Sequence, residues 1–219
     1  MKQIPYTLPK SAWQNIEIKE NGEKLVELKE SAKLKVGWVK KGYEALFWVR
    51  ESVAEKLYKV ADNLPNDLVL IIIEGYRTTK SQQEEWVRVW QTIKSQNKNL
   101  SDEETEKVVR LLVAKPLPLA NHHCGGAIDV TLGYSDGRLL EMGTPYITSI
   151  PQKEMLGKIP MLSDKVSAEA KFNRGILREA MEAEDFVWYP GEWWHYCYGD
   201  RMWAVYSGKT ECVYGSIEL

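Results

Sequence analysis

Leu68-Val69-Leu70-Ile71-Ile72-Ile73 is the longest aliphatic run in this 219-residue chain. Six residues cannot cross a bilayer, which takes about 20. A run with no polar position has to be buried on both faces, so it predicts a strand in the centre of a sheet. The elements around it follow from local pattern. Upstream, Glu51–Asp62 carries Val53, Ala54, Leu57, Val60 and Ala61 at helical spacing. Asn63–Asp67, with Pro65, is the turn between that helix and the strand. Lys35–Lys40 and Glu44–Arg50 read as two short strands around Lys41-Gly42. Residues 1–30 are polar and mixed, an N-terminal extension with edge structure packed on a domain that spans 31–219.

Downstream, Thr79 to about Ser95 predicts a helix with Trp86, Val89, Trp90 and Ile93 along one side. Ser101-Asp102-Glu103-Glu104 has the form of a capping box, opening a helix through Val113 that Pro116 and Pro118 end. Ala127–Leu132 alternates like a strand, Tyr134–Arg138 is a polar turn, and Met142–Val166 reads as a long loop. Ser167 caps a helix through Ala183 whose apolar face carries Phe172, Ile176, Leu177, Ala180 and Met181. Phe186–Tyr189, Trp194–Tyr198 and Met202–Tyr206 read as closing strands. Strands and helices mix without regular βαβ alternation, and no repeat or linker divides the chain, so the expectation is one α+β domain.

Composition narrows the function. Hydrophobic residues make up 44% and charged residues 27%, a globular balance. The net charge of −2 gives no basic field for nucleic acid or an anionic membrane. The first nine residues lack the apolar stretch of a signal peptide, so the expected setting is cytoplasmic. Cys124, Cys197 and Cys212 form neither an even framework nor a C-x-x-C pair, so they are expected as free thiols in a reducing compartment.

The three histidines all lie in two segments with the makings of a catalytic zinc site, and two of them, His122 and His195, are the candidate ligands. The segments are His122-His123-Cys124-Gly125-Gly126-Ala127-Ile128-Asp129 and Glu192-Trp193-Trp194-His195. Catalytic zinc usually keeps three protein ligands and one open position. His122, Asp129 and His195 would supply the three, with Glu192 beside them as proton carrier. Gly125 and Gly126 permit a tight reversal and close backbone approach, so that a loop ligand and a strand ligand can converge. Asp129, in an apolar stretch, is costly to bury unless paired or metal-bound. By itself each segment has an ordinary explanation. Asp129 fits a partly exposed strand aspartate or one paired with arginine, and His195 fits an aromatic core strand with one satisfied histidine. Glu192 and His195 fall on opposite faces of a regular strand, so the chain near Pro190-Gly191 has to be irregular. His123 adjoins the ligand, points elsewhere and is read as a supporting or surface group. The thiols lack the paired spacing of a closed zinc site and stay outside the metal shell.

Together the segments resemble the zinc D-alanyl-D-alanine dipeptidases of the vancomycin-resistance type and the related zinc D,D-carboxypeptidases. The resemblance extends to Glu74-Gly75-Tyr76-Arg77, Leu140-Glu141-Met142-Gly143-Thr144 and Asn173-Arg174, in the same order from about Lys35 to Gly215. It implies a mixed, mainly antiparallel sheet flanked by helices with the zinc site on the sheet, a fold shared with hedgehog-like domains. It also implies one zinc per chain on His122, Asp129 and His195, Glu192 as general base, and Arg77 steadying the reacting carbonyl. The implied substrate is a small D-amino-acid peptide, first the free D-Ala-D-Ala dipeptide and second a longer cell-wall stem peptide. A zinc-stabilised binding domain without catalysis, or a module in which the histidines are plain core residues, is the rival outside the class. Retention of Glu192 argues against a purely structural metal. The chain departs from the family at Ala120, usually serine. It also has no carboxylate in Ile147–Ile150, where a substrate ammonium would want one. Glu154 or Asp164 is a substitute for that acid. Oligomeric state is not readable from the sequence.

Overall fold

The computed structural model describes residues 8–39, 44–65, 67–110, 112–115, 121–146 and 153–219. In chain order these form α1 (Lys10–Trp13), β1 (Glu17–Ile18), β2 (Leu25–Glu27), β3 (Leu34–Val36), β4 (Trp48–Arg50) and α2 (Glu51–Asn63). Next come β5 (Leu68–Glu74), α3 (Thr79–Gln96), α4 (Asp102–Val109), a 3-10 turn at Asn121–Cys124, β6 (Ala127–Tyr134) and α5 (Lys153–Leu156). The chain closes with α6 (Ala168–Glu182), β7 (Val187–Trp188), β8 (His195–Cys197), α7 (Arg201–Tyr206) and β9 (Glu211–Cys212).

The main sheet has the order β3-β5-β6-β8-β7. Only β3–β5 is parallel, and the other three pairings are antiparallel. This is the α+β class expected from the element pattern, with the mixed, mainly antiparallel sheet that the family resemblance implied. Every residue of β5 is buried, as its unbroken aliphatic run requires. Alternation along β6 separates its two faces. Ile128, Val130 and Leu132 join a core with Leu57 of α2 and Leu177 of α6, so Asp129 stands on the opposite face. The β5–β6 register shifts between Ile72 and Glu74, leaving Ile73 as the extra residue and setting Glu74 opposite Asp129. That bulge turns a carboxylate at the end of an apolar strand toward the same face as Asp129. α3 and α4 build a separate cluster of Trp86, Val89, Ile93, Val109 and Val113.

Helix starts follow their caps. Ser167 accepts from Ala170 N–H, and Ser101 and Glu104 form both halves of the capping box. Several expectations need correction. α4 ends at Val109, not Val113. Lys35–Lys40 and Glu44–Arg50 shrink to β3 and β4, which do not pair: β3 joins β5, and β4 pairs with β2. Residues 40–43, between them, lie outside the described residues. The Met142–Val166 loop includes α5. Met202–Tyr206 is helical, because Asp200 caps it by accepting from Trp203 N–H at 2.7 Å. Phe172 is 70% exposed, since Asn173 and Arg174 take the inner face of α6 beside Leu177 and Met181.

The polar N-terminal stretch contacts the rest at defined points. β1 pairs with β9, Leu28 is buried, and Glu20 binds the buried Arg50. Among the described residues no helix is long and apolar enough to cross a membrane.

Candidate metal centre

Three elements converge on one face of the sheet. β6 supplies Asp129, β8 supplies His195 directly across from it, and the 3-10 turn supplies His122. The turn reverses at Gly125, where φ is +72°, a conformation that favours glycine. Gly126 lies so close to Tyr198 that a Cβ there would overlap the Tyr198 carbonyl oxygen. All three side chains are buried, and their candidate ligand atoms lie within 4.8 Å of one another.

The rings are oriented by their partners. His122 Nδ1 is 2.6 Å from the Gly75 carbonyl, which can only accept, so Nδ1 carries the proton. His122 Nε2 faces Asp129 Oδ1 at 3.5 Å. His195 presents Nδ1 to the same oxygen at 2.9 Å, while its Nε2 lies 3.4 Å from Cys197 Sγ. The two imidazoles meet edge-on, with centroids 4.9 Å apart. Asp129 Oδ2 accepts from Tyr146 OH at 2.9 Å. Burial pushes the Asp129 carboxyl up, but the His122 imidazole, through charge and hydrogen bond, and then His195 outweigh it. The group is held well below the usual carboxylate range. Two imidazoles and an ionised carboxylate are a donor set that suits zinc, and a backbone carbonyl on the far nitrogen of a ligating histidine is its usual support. The residues present therefore fit a zinc ion.

Glu192 lies in the irregular turn before β8, half-buried, with its N–H donating to Tyr189 O at 3.3 Å. Its charge helps raise the Tyr189 phenol, which burial raises first, and the Tyr189 ring packs edge-on to His195 at 6.0 Å. Arg77 follows β5. Its N–H donates to His122 O at 3.2 Å. Its guanidinium binds Glu74, with Nε at 3.1 Å from Oε1, and Gln82 Oε1 at 2.7 Å. His123 turns away from the cluster, donating from Nδ1 to Arg77 O at 2.6 Å, while burial pulls its pKa below the ordinary histidine value. Cys124, Cys197 and Cys212 are buried and in no disulfide, and burial raises all three thiols. Ala120 and Ile147–Ile150 lie outside the described residues, as does the side chain of Glu154, and Asp164 is exposed.

Sequence reasoning did not find the partners of these groups. Glu74 carried a usable signal, because a carboxylate ending a buried strand needs a cation. Tyr146 carried none, since nothing local marks a loop tyrosine as the partner of an aspartate 17 positions away.

A profile of the peptidase family described as D-ala-D-ala dipeptidase matches residues 37–214. A D-alanyl-D-alanine dipeptidase from Synechocystis sp. is 31% identical over 94 residues, covering 41% of this chain and 38% of that protein. One from Escherichia coli K12 is 29% identical over 129 residues, covering 59% and 54%. The chain thus spans less than two thirds of the length of either relative. Among solved structures, a vancomycin-resistance D,D-pentapeptidase VanY variant with Zn(II) is similar, with TM-score 0.47 and 16% identity over 90% of this chain and 96% of that one. VanYB with D-alanine-D-alanine gives 0.44 and 17% over 90% and 94%. Likeness at that level is distant. The profile covers most of the chain, including all the converging ligand residues, and the chain belongs to the D-Ala-D-Ala dipeptidase family of peptidases.

Proposed function

We propose that this protein is a zinc-dependent D-alanyl-D-alanine dipeptidase, with one zinc held by His122, Asp129 and His195. The observation that carries the proposal is the convergence of three buried donors within 4.8 Å, in a chain of the dipeptidase family. Two relatives bearing the name D-alanyl-D-alanine dipeptidase support the choice of substrate. A zinc ion in such a site would act as a Lewis acid and lower the pKa of bound water to about 7. Glu192 takes the proton of the attacking water and passes it to the leaving amine. Arg77, oriented by Glu74 and Gln82, donates to the reacting carbonyl as negative charge grows on its oxygen. Glu74, fixed by the β5 bulge, sets the angle of that guanidinium. We further read residues 31–219 as the peptidase domain and 1–30 as an extension packed on it, a reading supported by the β1–β9 pairing and the Arg50–Glu20 ion pair.

The test is hydrolysis of D-Ala-D-Ala, its N-acetylated form and a pentapeptide stem, with metal content measured on the same preparation. Glu192→Gln should lose about 10²–10⁴ in rate, the usual share of general acid–base catalysis. Undiminished turnover in Glu192→Gln removes the base assignment. Cleavage of the blocked or longer substrates alone overturns the dipeptidase reading. Zinc well below one per chain after loading overturns the enzyme.

A further inference from the structure

The two oxygens of Asp129 are in different settings. Oδ1 faces both imidazoles, at 2.9 Å from His195 Nδ1 and 3.5 Å from His122 Nε2. Oδ2 is turned the other way and accepts from Tyr146 OH at 2.9 Å. A phenol donated to one oxygen fixes the rotation of the carboxylate plane and leaves the other oxygen as the stronger remaining electron-pair donor. Without that hydroxyl, both oxygens can rotate toward the histidine pair.

Tyr146 is itself held from two sides. Its ring lies edge-on to Trp194 with centroids 5.1 Å apart. Trp194 directly precedes His195, and its carbonyl accepts from Val130 N–H at 3.0 Å, next to Asp129. The segment leading to Tyr146 is tied down at Thr144, which accepts from the Trp193 indole at 2.9 Å. It is also tied at Met142, whose carbonyl accepts from Arg174 Nε at 2.7 Å. The hydroxyl therefore reaches Asp129 from a fixed point in the loop, through a ring that packs against the strand carrying a second ligand.

We propose that Tyr146 is a positioning residue for the metal centre: its hydroxyl holds Asp129 so that Oδ1, and not Oδ2, is offered to the metal alongside the two imidazoles. The inference rests on the zinc reading given above and adds to it a residue that contacts no metal. Hydrogen-bond partners of metal ligands typically contribute 10–100-fold in metal affinity, roughly the range expected here.

Tyr146→Phe deletes the hydroxyl and keeps the ring against Trp194. Zinc affinity is measured by competition with a chromogenic chelator, and the cobalt(II)-substituted proteins are compared by visible absorption. Cobalt band positions and intensities report how many donors surround the ion. The expected result is zinc binding weakened about tenfold or more, with cobalt bands weakened and shifted as the freed carboxylate brings in its second oxygen. The metal-free variant should melt a few degrees lower, since a buried acceptor loses its donor, and both proteins stay folded at the assay temperature. Equal zinc affinity in the two proteins overturns the inference. So does weaker binding with an unchanged cobalt spectrum, which would mean general loosening and not a change at Asp129. A wild-type protein that binds no zinc removes the metal reading itself, and with it this role for Tyr146. Indifference of Tyr146→Phe in a zinc-binding wild type removes the role alone.

Discussion

Replacing Arg174 by methionine should be among the most damaging single changes outside the metal centre. Arg174 is 2% exposed and sits on the inner face of α6. It donates to Met142 O and Pro160 O at 2.7 Å, Lys158 O at 2.8 Å and, at the limit, Met161 O at 3.5 Å. Its guanidinium also lies over the Trp193 ring, 5.7 Å from the centroid. Burial pulls its pKa down to about 10, so it is charged at neutral pH. Hydrogen bonds from a charged group contribute about 1.5–3 kcal/mol each, so the three short ones sum to roughly 5–9 kcal/mol before any offset. Removing the cation also relieves its desolvation, a cost of several kcal/mol, and methionine recovers part of the packing. The carbonyls left behind lose their donor, and the net loss comes to about 3–5 kcal/mol. A chain of this size loses about 2–4 °C of melting temperature per kcal/mol, so the expected drop is roughly 6–20 °C. The assay is thermal unfolding followed by circular dichroism, with limited proteolysis to locate early cutting in 142–161. Lysine concentrates its three donors on one nitrogen, without the planar fork whose separate nitrogens reach these carbonyls, and should recover little. A fall of less than about 3 °C in Arg174→Met would refute the claim that one guanidinium holds this loop together.

Two further outcomes follow from the geometry. Saturating zinc at about 100 times its dissociation constant should stabilise the protein by about 2.7 kcal/mol over the chelated form, and His195→Ala should abolish the difference. Equal melting with zinc and with chelator in the wild type contradicts the site. Glu20 is pushed up by burial, but hydrogen bonds from Gly215 and Gly22 N–H and the charge of Arg50 outweigh this and hold its carboxyl below the ordinary 4.5. A folded-state pKa below the unfolded one means stability present above the unfolded value and lost as pH falls through the folded one. Glu20→Gln should therefore melt below the wild type at pH 7, with the gap closing as pH drops beneath about 4.5. A gap that persists undiminished at low pH would show that Glu20 acts through shape and not charge.

Local pattern carried much of the fold because several elements depend on little else. Six aliphatic residues in a row leave β5 no exposed face, and α2, α3 and α6 appear where helical spacing and capping residues placed them. The failures have a common cause. In the six residues of α7, burial of Met202 and Ala204 satisfies a strand period as well as a helical turn, and only the Asp200 cap decides between them. Hydrophobicity alone puts Phe172 on the buried face of α6 and does not show that Asn173 and Arg174 are wanted there, opposite the carbonyls of a loop. β3 and β4 lie close in sequence but found partners elsewhere, since strand pairing is a long-range choice.

The candidate centre divides in the same way. The residue types and their order name His122, Asp129 and His195 as a metal set, because a carboxylate in an apolar strand and histidines beside glycine turns carry their chemistry wherever they fold. What holds that set depends on packing across the chain. The Gly75 carbonyl fixes the His122 tautomer from 47 positions away, and the Tyr146 hydroxyl turns Asp129 from 17. A bulge at Ile73 brings Glu74 round to Arg77. By itself, then, the sequence determined the sheet's central strand, most of the helices and which atoms could hold a metal, since these follow from side-chain chemistry and short-range spacing. Only the tertiary structure decided which oxygen of Asp129 faces the imidazoles and what steadies the loop beside it. Those are hydrogen bonds between distant segments, and no local pattern encodes them.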